Sequence, residues 1–158
     1  MDSLKKQLQK LDVSQLKMKS GDSVAAELKR HARILANCIQ YELDKVYDSY
    51  EPKVYKRTYA TYNSLMIGNL EIKVTATGAA LGISLIFDEN AIHKGFDGEP
   101  VNTAVLLNEG WQTKFSDVPY FGKREETHFI ENGIERYKQK VKNPFAVKLH
   151  INNETREF

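Results

Sequence analysis

The side chains of this chain that could bind a transition metal or act as nucleophiles are few and widely spaced. Its histidine and cysteine side chains are His31, Cys38, His93, His128 and His150. None of the histidines pairs with another at the short spacing of a metal-binding helix, and a lone cysteine cannot form a Cys-x-x-Cys pair. Zinc requires a fixed tetrahedral set of ligands, so we expect no metal site. We also expect no cofactor.

Nucleophilic catalysis would need Cys38 or a serine within reach of a base and an orienting group. Cys38 falls near the apolar stripe of a predicted helix, where a free cysteine usually behaves as a small buried hydrophobic residue. No G-x-S-x-G motif and no glycine-rich phosphate-binding loop is present. Asp44, Asp48 and Glu51 could gather on one helix, but a solvated helix face explains them better. We therefore expect a protein that is not an enzyme.

One stretch of interleaved tyrosines and cations, residues 53–62, has the residue types that bind nucleic acid. Its members are Lys53, Tyr55, Lys56, Arg57, Tyr59 and Tyr62. Aromatic rings that stack on bases, beside cations that follow the backbone, are typical of single-strand binding. The tyrosines could instead pack at a sheet edge, and a net charge of only +2 favours that interpretation. A small cytoplasmic nucleic-acid-binding module stays as the alternative function.

Length and composition indicate one folded domain. The chain has 158 residues, of which 41% are hydrophobic, which is enough for a sizeable core. Its single cysteine excludes an internal disulfide, and we see neither a signal peptide nor an apolar run long enough to span a membrane. We expect a protein made and used in a cytoplasm, or in a particle assembled there.

Charge is unevenly distributed along the chain. Residues 1–60 carry 12 basic and 8 acidic groups, residues 61–110 carry 2 and 6, and residues 111–158 carry 9 and 7. Such asymmetry could help one copy dock on the next through faces of opposite charge, although a chance distribution on a solvated surface gives the same totals.

The first half of the chain predicts a long helix followed by strands. The helix should begin at Asp22 or Ser23, whose side chains can cap free backbone N–H groups, and continue to about Tyr50 before Pro52. Strands are predicted over residues 64–70, 71–77 and 83–88, with a hairpin turn at Gly78. Ile83, Leu85 and Phe87 alternate with polar or exposed positions, which indicates one buried face.

The second half predicts a mixed region. Residues 89–100 contain two glycines and a proline and should lack regular structure, and residues 101–108 should form a short helix closed by Gly110. A second helix is predicted over residues 124–142 and a last strand over residues 145–151, before a polar, frayed end.

These elements predict an α+β fold. We expect a mainly antiparallel sheet of three to four strands, with a long N-terminal helix and a second helix before the last strand. Residues 1–22 should form an N-terminal arm, residues 23–152 a single domain and residues 153–158 a C-terminal tail.

Several segments resemble the head–tail joining and tail-completion proteins that form the neck of long-tailed bacteriophages and prophage particles. The segment from Tyr50 to Thr58 is similar to a Y-x-P-x-x-Y-x-R-T stretch of that family, and it leads into Leu65-Met66-Ile67. The aromatic–glycine elements of the family are similar to residues 107–111 and 119–122, which are followed by residues 129–137. The likeness extends over most of residues 23–151.

This resemblance implies a structural virion protein that performs no catalysis. It implies a ring of copies, six or a multiple, at the neck or upper tail, which binds neighbouring connector and tail proteins while DNA passes through the lumen unread. Aromatic and arginine anchors tend to dominate interfaces, so we expect the contact residues to lie in the arms and loops. The candidates are Tyr55, Arg57, Tyr59, Ile92 and Phe96.

Overall fold

The computed structural model describes residues 15–49, 59–75, 78–88, 91–94, 98–112 and 123–158. Its helices are α1 (Val24–Asp48), α2 (Ala60–Asn63), α3 (Thr103–Glu109) and α4 (Phe129–Lys140). Its strands are β1 (Leu65–Thr75), β2 (Gly78–Phe87), β3 (Ile92–Lys94), β4 (Pro100–Asn102), β5 (Trp111–Gln112), β6 (Lys123–Arg124), β7 (Lys148–Ile151) and β8 (Glu154–Glu157). The mixture of helices with antiparallel strands confirms the α+β class. Among these residues no helix is both long and apolar enough to cross a membrane.

Helix α1 begins where the sequence predicts. The Ser23 hydroxyl oxygen accepts a hydrogen bond from the Ala26 N–H, which satisfies one of the free donors of the first turn. The apolar stripe faces the core, where Leu43 and Cys38 are almost completely buried. The helix therefore contributes one long buried face, against which the other elements pack.

Helix α4 packs directly against α1. Gly133 lies so close to Ile39 that a Cβ atom on it would be 2.7 Å from the Ile39 Cα atom. Tyr137, further along α4, contacts His31, which precedes Ile39 on α1. The two helices are therefore antiparallel, and Phe129, Ile134 and Tyr137 fill the core between them.

The predicted start of the second long helix was several residues too early. Arg124, predicted as its first residue, lies in β6 opposite Trp111 of β5. Helix α4 begins at Phe129 because Asn108 supplies its cap from another element: the Asn108 side-chain oxygen accepts from the Ile130 N–H at 2.9 Å. His128, which precedes the helix, has a left-handed φ of 49°, which is uncommon for a residue other than glycine.

Strands β1 and β2 form an antiparallel hairpin, but the prediction of a turn at Gly78 was wrong, because Gly78 is the first residue of β2 and pairs with Thr75. Residues 64–70 and 71–77 were predicted as separate strands, whereas Leu65–Thr75 is one strand paired antiparallel with β2. The register shifts between Ile67 and Leu70, where β1 contains one residue more than its partner. This β-bulge breaks the alternation of the sequence without ending the strand, which explains the error.

The prediction of one sheet with three to four strands was wrong. Each sheet of the described residues has two strands, in the pairs β1–β2, β3–β4, β5–β6 and β7–β8. Each pair joins two strands that are consecutive in the chain. The inner face of the β1–β2 hairpin packs against helices instead of further strands. Leu65, Leu85 and Phe87 pack from that face against the helical core.

Two segments predicted to be irregular contain strands. Residues 92–94 and 100–102 form the β3–β4 hairpin. Gly98, which lies between the two strands, has a φ of +84°, a conformation that glycine adopts readily. At the C-terminus, residues 154–157 pair with β7 instead of fraying. Asn152 and Asn153 make that turn possible, because both adopt positive φ, which asparagine tolerates better than most residues.

The remaining local predictions were close. Helix α3 begins at Thr103 after its cap Asn102, and Gly110 ends it with a φ of +71°, as expected. Strand β7 is confirmed within the predicted residues 145–151, although it begins at Lys148. Val147 and Phe158 extend the pairing of β7 with β8 by two further hydrogen bonds: each backbone N–H donates to the other residue's carbonyl oxygen.

Candidate interaction surface

The predicted contact residues fall partly within the described chain. Tyr55, Arg57 and Phe96 lie outside the described residues, as does most of the stretch 53–62 on which the nucleic-acid alternative depends. Tyr59 and Ile92 are described, and their exposed fractions are 47% and 48%. Tyr59 precedes α2 and Ile92 lies in β3, so the two residues are positioned by different elements.

Tyr59 has a structural role as well as an exposed side. It precedes α2 in the left-handed region, with a φ of 57°. Its ring meets the ring of buried Tyr47 edge to face, with centroids 5.4 Å apart. One side of Tyr59 therefore holds the chain against α1, and the other side faces solvent.

An exposed apolar pair on the outer face of the β1–β2 hairpin was missed by the sequence prediction. Met66 and Ile86 are direct cross-strand partners, and their exposed fractions are 50% and 53%. Leu85 and Phe87 point inward on the same strand, so Ile86 points outward. We call Met66 and Ile86 the outer hairpin patch. The signal in the sequence was the consecutive apolar run 85–87, which places a large apolar side chain on each face.

An ion-pair network joins the C-terminal strand to the helices. The Arg156 guanidinium lies 2.6 Å from a Glu131 oxygen and 3.1 Å from a Glu109 oxygen. Hydrogen bonding from Arg156 holds the pKa of Glu109 below its ordinary value, and Asn108 adds a further hydrogen bond. β8, α3 and α4 are thus connected through one side chain.

His31 lies in a buried polar contact and not at the surface. It occupies the buried face of α1 together with Leu28, Ala32 and Leu35. Arg30 can only donate, so the His31 Nε2 at 3.0 Å accepts, and the remaining ring proton on Nδ1 is donated to the Tyr137 oxygen at 2.7 Å. Burial and the Arg30 charge lower the pKa of His31, and Glu27 opposes that shift.

Cys38 is confirmed as a buried residue. Its side chain is 1% exposed, and burial raises the pKa of its thiol. The thiolate is the nucleophilic form of cysteine, so a buried thiol with a raised pKa is poorly suited to attack a substrate. Cys38 therefore contributes packing to the α1 face.

The comparisons with known proteins give one match. The searches of the curated proteins and of the solved structures found no match. A model of one protein family, YomN, matches residues 1–152, which include the hairpin, both long helices and β7. The chain therefore belongs to the YomN family, a family associated with phages and prophages.

Proposed function

We propose that this chain is a structural component of a phage or prophage-derived virion, a head–tail connector or tail-completion protein at the neck or upper tail. Membership of a phage-associated family supports the setting, and the resemblance in sequence to neck proteins supports the position. In this proposal the chain performs no catalysis, is assembled in the host bacterial cytoplasm and acts within the particle.

The single observation that carries the proposal is the outer hairpin patch. Met66 and Ile86 place two large apolar side chains side by side on a strand pair, each about half exposed. Burying such a side chain contributes about 1.5–3 kcal/mol, so a neighbouring protein that covers the pair would gain from both residues. In a structural protein that binds other copies, such an exposed apolar pair can form part of the interface.

The edges of the hairpin offer a second way to bind. Within the described residues neither β1 nor β2 pairs with a third strand, so their outer N–H and C=O groups can pair with a strand of another chain. When one face of a copy binds a different face of the next copy, repeated contacts close into a ring if the rotation between neighbouring copies is suitable. We propose a ring of six copies or a multiple, which contacts neighbouring connector and tail proteins and lets DNA pass through the lumen unread.

Deletion and complementation in an inducible prophage test this proposal. Without the chain, negative-stain images of the lysate should show filled heads and tails that are not joined, and the wild-type chain should restore joined particles. The double variant Met66→Lys with Ile86→Glu should not restore them. Opposite charges at directly paired positions keep the hairpin compatible with folding while removing the apolar pair.

Met18→Lys is the matched control, because Met18 is also an exposed methionine but lies outside the hairpin. It should complement as well as the wild type does. Joined particles in the deletion strain, or immunogold label on purified particles away from the head–tail junction, would refute the proposed function.

A further inference from the structure

Three potential metal ligands meet where α3 ends and α4 begins. One ligand atom from each of Glu109, His128 and Glu131 lies within 4.8 Å of the other two. Glu109 is the last residue of α3, His128 precedes α4, and Glu131 lies in the first turn of α4. An imidazole nitrogen with two carboxylate oxygens is a donor set that suits Zn²⁺.

The surroundings of these three side chains carry an excess of negative charge. Arg156 is shared between Glu109, Glu131 and Glu154, the last at 3.7 Å. His128 faces a further carboxylate, Glu126, at 3.4 Å. Four carboxylates therefore meet one guanidinium and one histidine, so an additional cation would be attracted electrostatically.

One oxygen of Glu131 is left without a partner. Its Oε1 atom accepts from Arg156, whereas its Oε2 atom is buried and has no hydrogen-bond donor in the described part of the chain. An unsatisfied buried carboxylate oxygen is unfavourable and uncommon. A metal ion between Glu131 and the other two ligands would satisfy it.

Asn108 orients one of the three ligand side chains and fixes the backbone of a second ligand residue. Its side-chain amide donates to a Glu109 oxygen at 2.8 Å, and its backbone carbonyl accepts from the His128 N–H at 3.0 Å. A supporting hydrogen bond to the carboxylate, as on Glu109, fixes the direction of a ligand in metal sites. The donor set is therefore held together by the fold itself and does not depend on a metal for its assembly.

We infer that Glu109, His128 and Glu131 bind one Zn²⁺ ion, with water completing the coordination, and that the ion displaces Arg156 from these carboxylates. Arg156 then pairs with Glu154 alone. The site is a cross-link between α3 and α4, and Arg156 is its built-in competitor. This inference stands independently of the proposed neck function, since it rests on the charge and geometry of these side chains.

Isothermal titration of the tag-free full chain with ZnCl₂ tests the inference. We expect one ion per chain and an affinity that Glu131→Gln and His128→Asn each lower about tenfold or more. Asparagine suits position 128, because it tolerates the left-handed backbone there. Arg156→Gln should raise the affinity about tenfold, because it removes a positive charge beside the ion.

The matched controls are Glu135→Gln, an exposed glutamate on the same helix, and His150→Asn, an exposed histidine of β7. Both should bind zinc as the wild type does, and circular dichroism should show that every variant is folded. CaCl₂ should bind far more weakly, since Ca²⁺ takes oxygen ligands.

Absence of zinc binding to the folded wild-type chain would overturn the inference. So would binding that Glu131→Gln and His128→Asn leave unchanged, or binding that Arg156→Gln weakens. A shift of the His128 imidazole resonances at one equivalent of zinc, without a shift at His150, would support it.

Discussion

The α1–α4 helix pair and the β1–β2 hairpin use their apolar residues in different ways. In the helix pair, apolar faces are buried against each other, and Gly133 lets the two backbones approach closely. The hairpin packs only one face on that core and leaves Met66 and Ile86 half exposed on the other. We conclude that the helix pair determines whether the chain folds, whereas the hairpin has surface available to bind another molecule.

The largest expected effect is on the free energy of unfolding, and it compares one phenylalanine of the helix pair with one of the hairpin. Phe129 of α4 is 1% exposed and meets Phe87 of β2 edge to face, with centroids 6.0 Å apart. Phe129→Ala should lower the free energy of unfolding by about 3–5 kcal/mol, because it leaves a cavity in the core. Phe87→Ala, at a partly exposed site, should lower it by about 1–2 kcal/mol. Urea unfolding measures both, and equal losses would contradict the distinction.

The next effect concerns the contact between the helices. Gly133→Ala gains about 1 kcal/mol of helix propensity, but its new Cβ atom would collide with Ile39, and overpacking costs about 1–3 kcal/mol. Because the collision is with the Ile39 backbone, which cannot move aside as a flexible side chain can, we take the upper part of that cost and expect a net loss of about 1–2 kcal/mol in urea unfolding. Gly82→Ala on β2 is the control, because nothing lies within 4 Å of its new Cβ atom. A Gly133→Ala variant as stable as the wild type would mean that the helices can move apart freely.

A smaller effect depends on pH. The pKa of His31 is lowered in the folded chain, mainly by burial and then by Arg30, below the ordinary value of 6.5. Between that value and the lower folded pKa the unfolded chain binds more protons, so the free energy of unfolding falls as the pH falls below 6.5. From pH 7.5 to 5.5 we therefore expect this group to lower the free energy of unfolding.

His31→Asn should remove that part of the pH dependence, because it retains a polar group near the Nδ1 position but does not titrate. His150→Asn should keep it, since His150 is exposed. Urea midpoints at the two pH values measure the effect. If the urea midpoint falls by the same amount between the two pH values in the wild type and in the His31→Asn variant, another group causes the loss.

The smallest expected effect on stability belongs to the outer hairpin patch. Met66→Lys with Ile86→Glu should change the free energy of unfolding by about 0.5 kcal/mol or less, because both side chains already face solvent. The same variant is expected to fail in particle assembly. A large loss of stability would instead place these two residues in the fold of the isolated chain and remove the contrast between the two regions.

Features encoded by neighbouring residues were predictable from the sequence. Ser23 and the apolar stripe predicted α1, and the alternation around Leu85 predicted β2. Both signals depend on residues within one or two turns or on one strand face. The turn at Asn152 and Asn153 belongs to this class too, although the polar composition of the C-terminus led us to expect a frayed end.

Features that depend on distant residues were not predictable. The start of α4 is set by Asn108, which lies 22 positions before Ile130. The outer hairpin patch requires knowledge of which face the helices cover. The grouping of Glu109 with His128 follows from the same helix junction, and no spacing in the sequence indicates it.

Asn108 has a consequence for the order in which the chain acquires its structure. It is fully buried, and its backbone oxygen and side-chain oxygen together accept hydrogen bonds from Thr127, His128 and Ile130. The first turn of α4 therefore lacks its acceptors until α3 is in place. The backbone amides of these two helices should exchange with deuterium as one cooperative unit, so that the end of the chain cannot open while α3 remains intact.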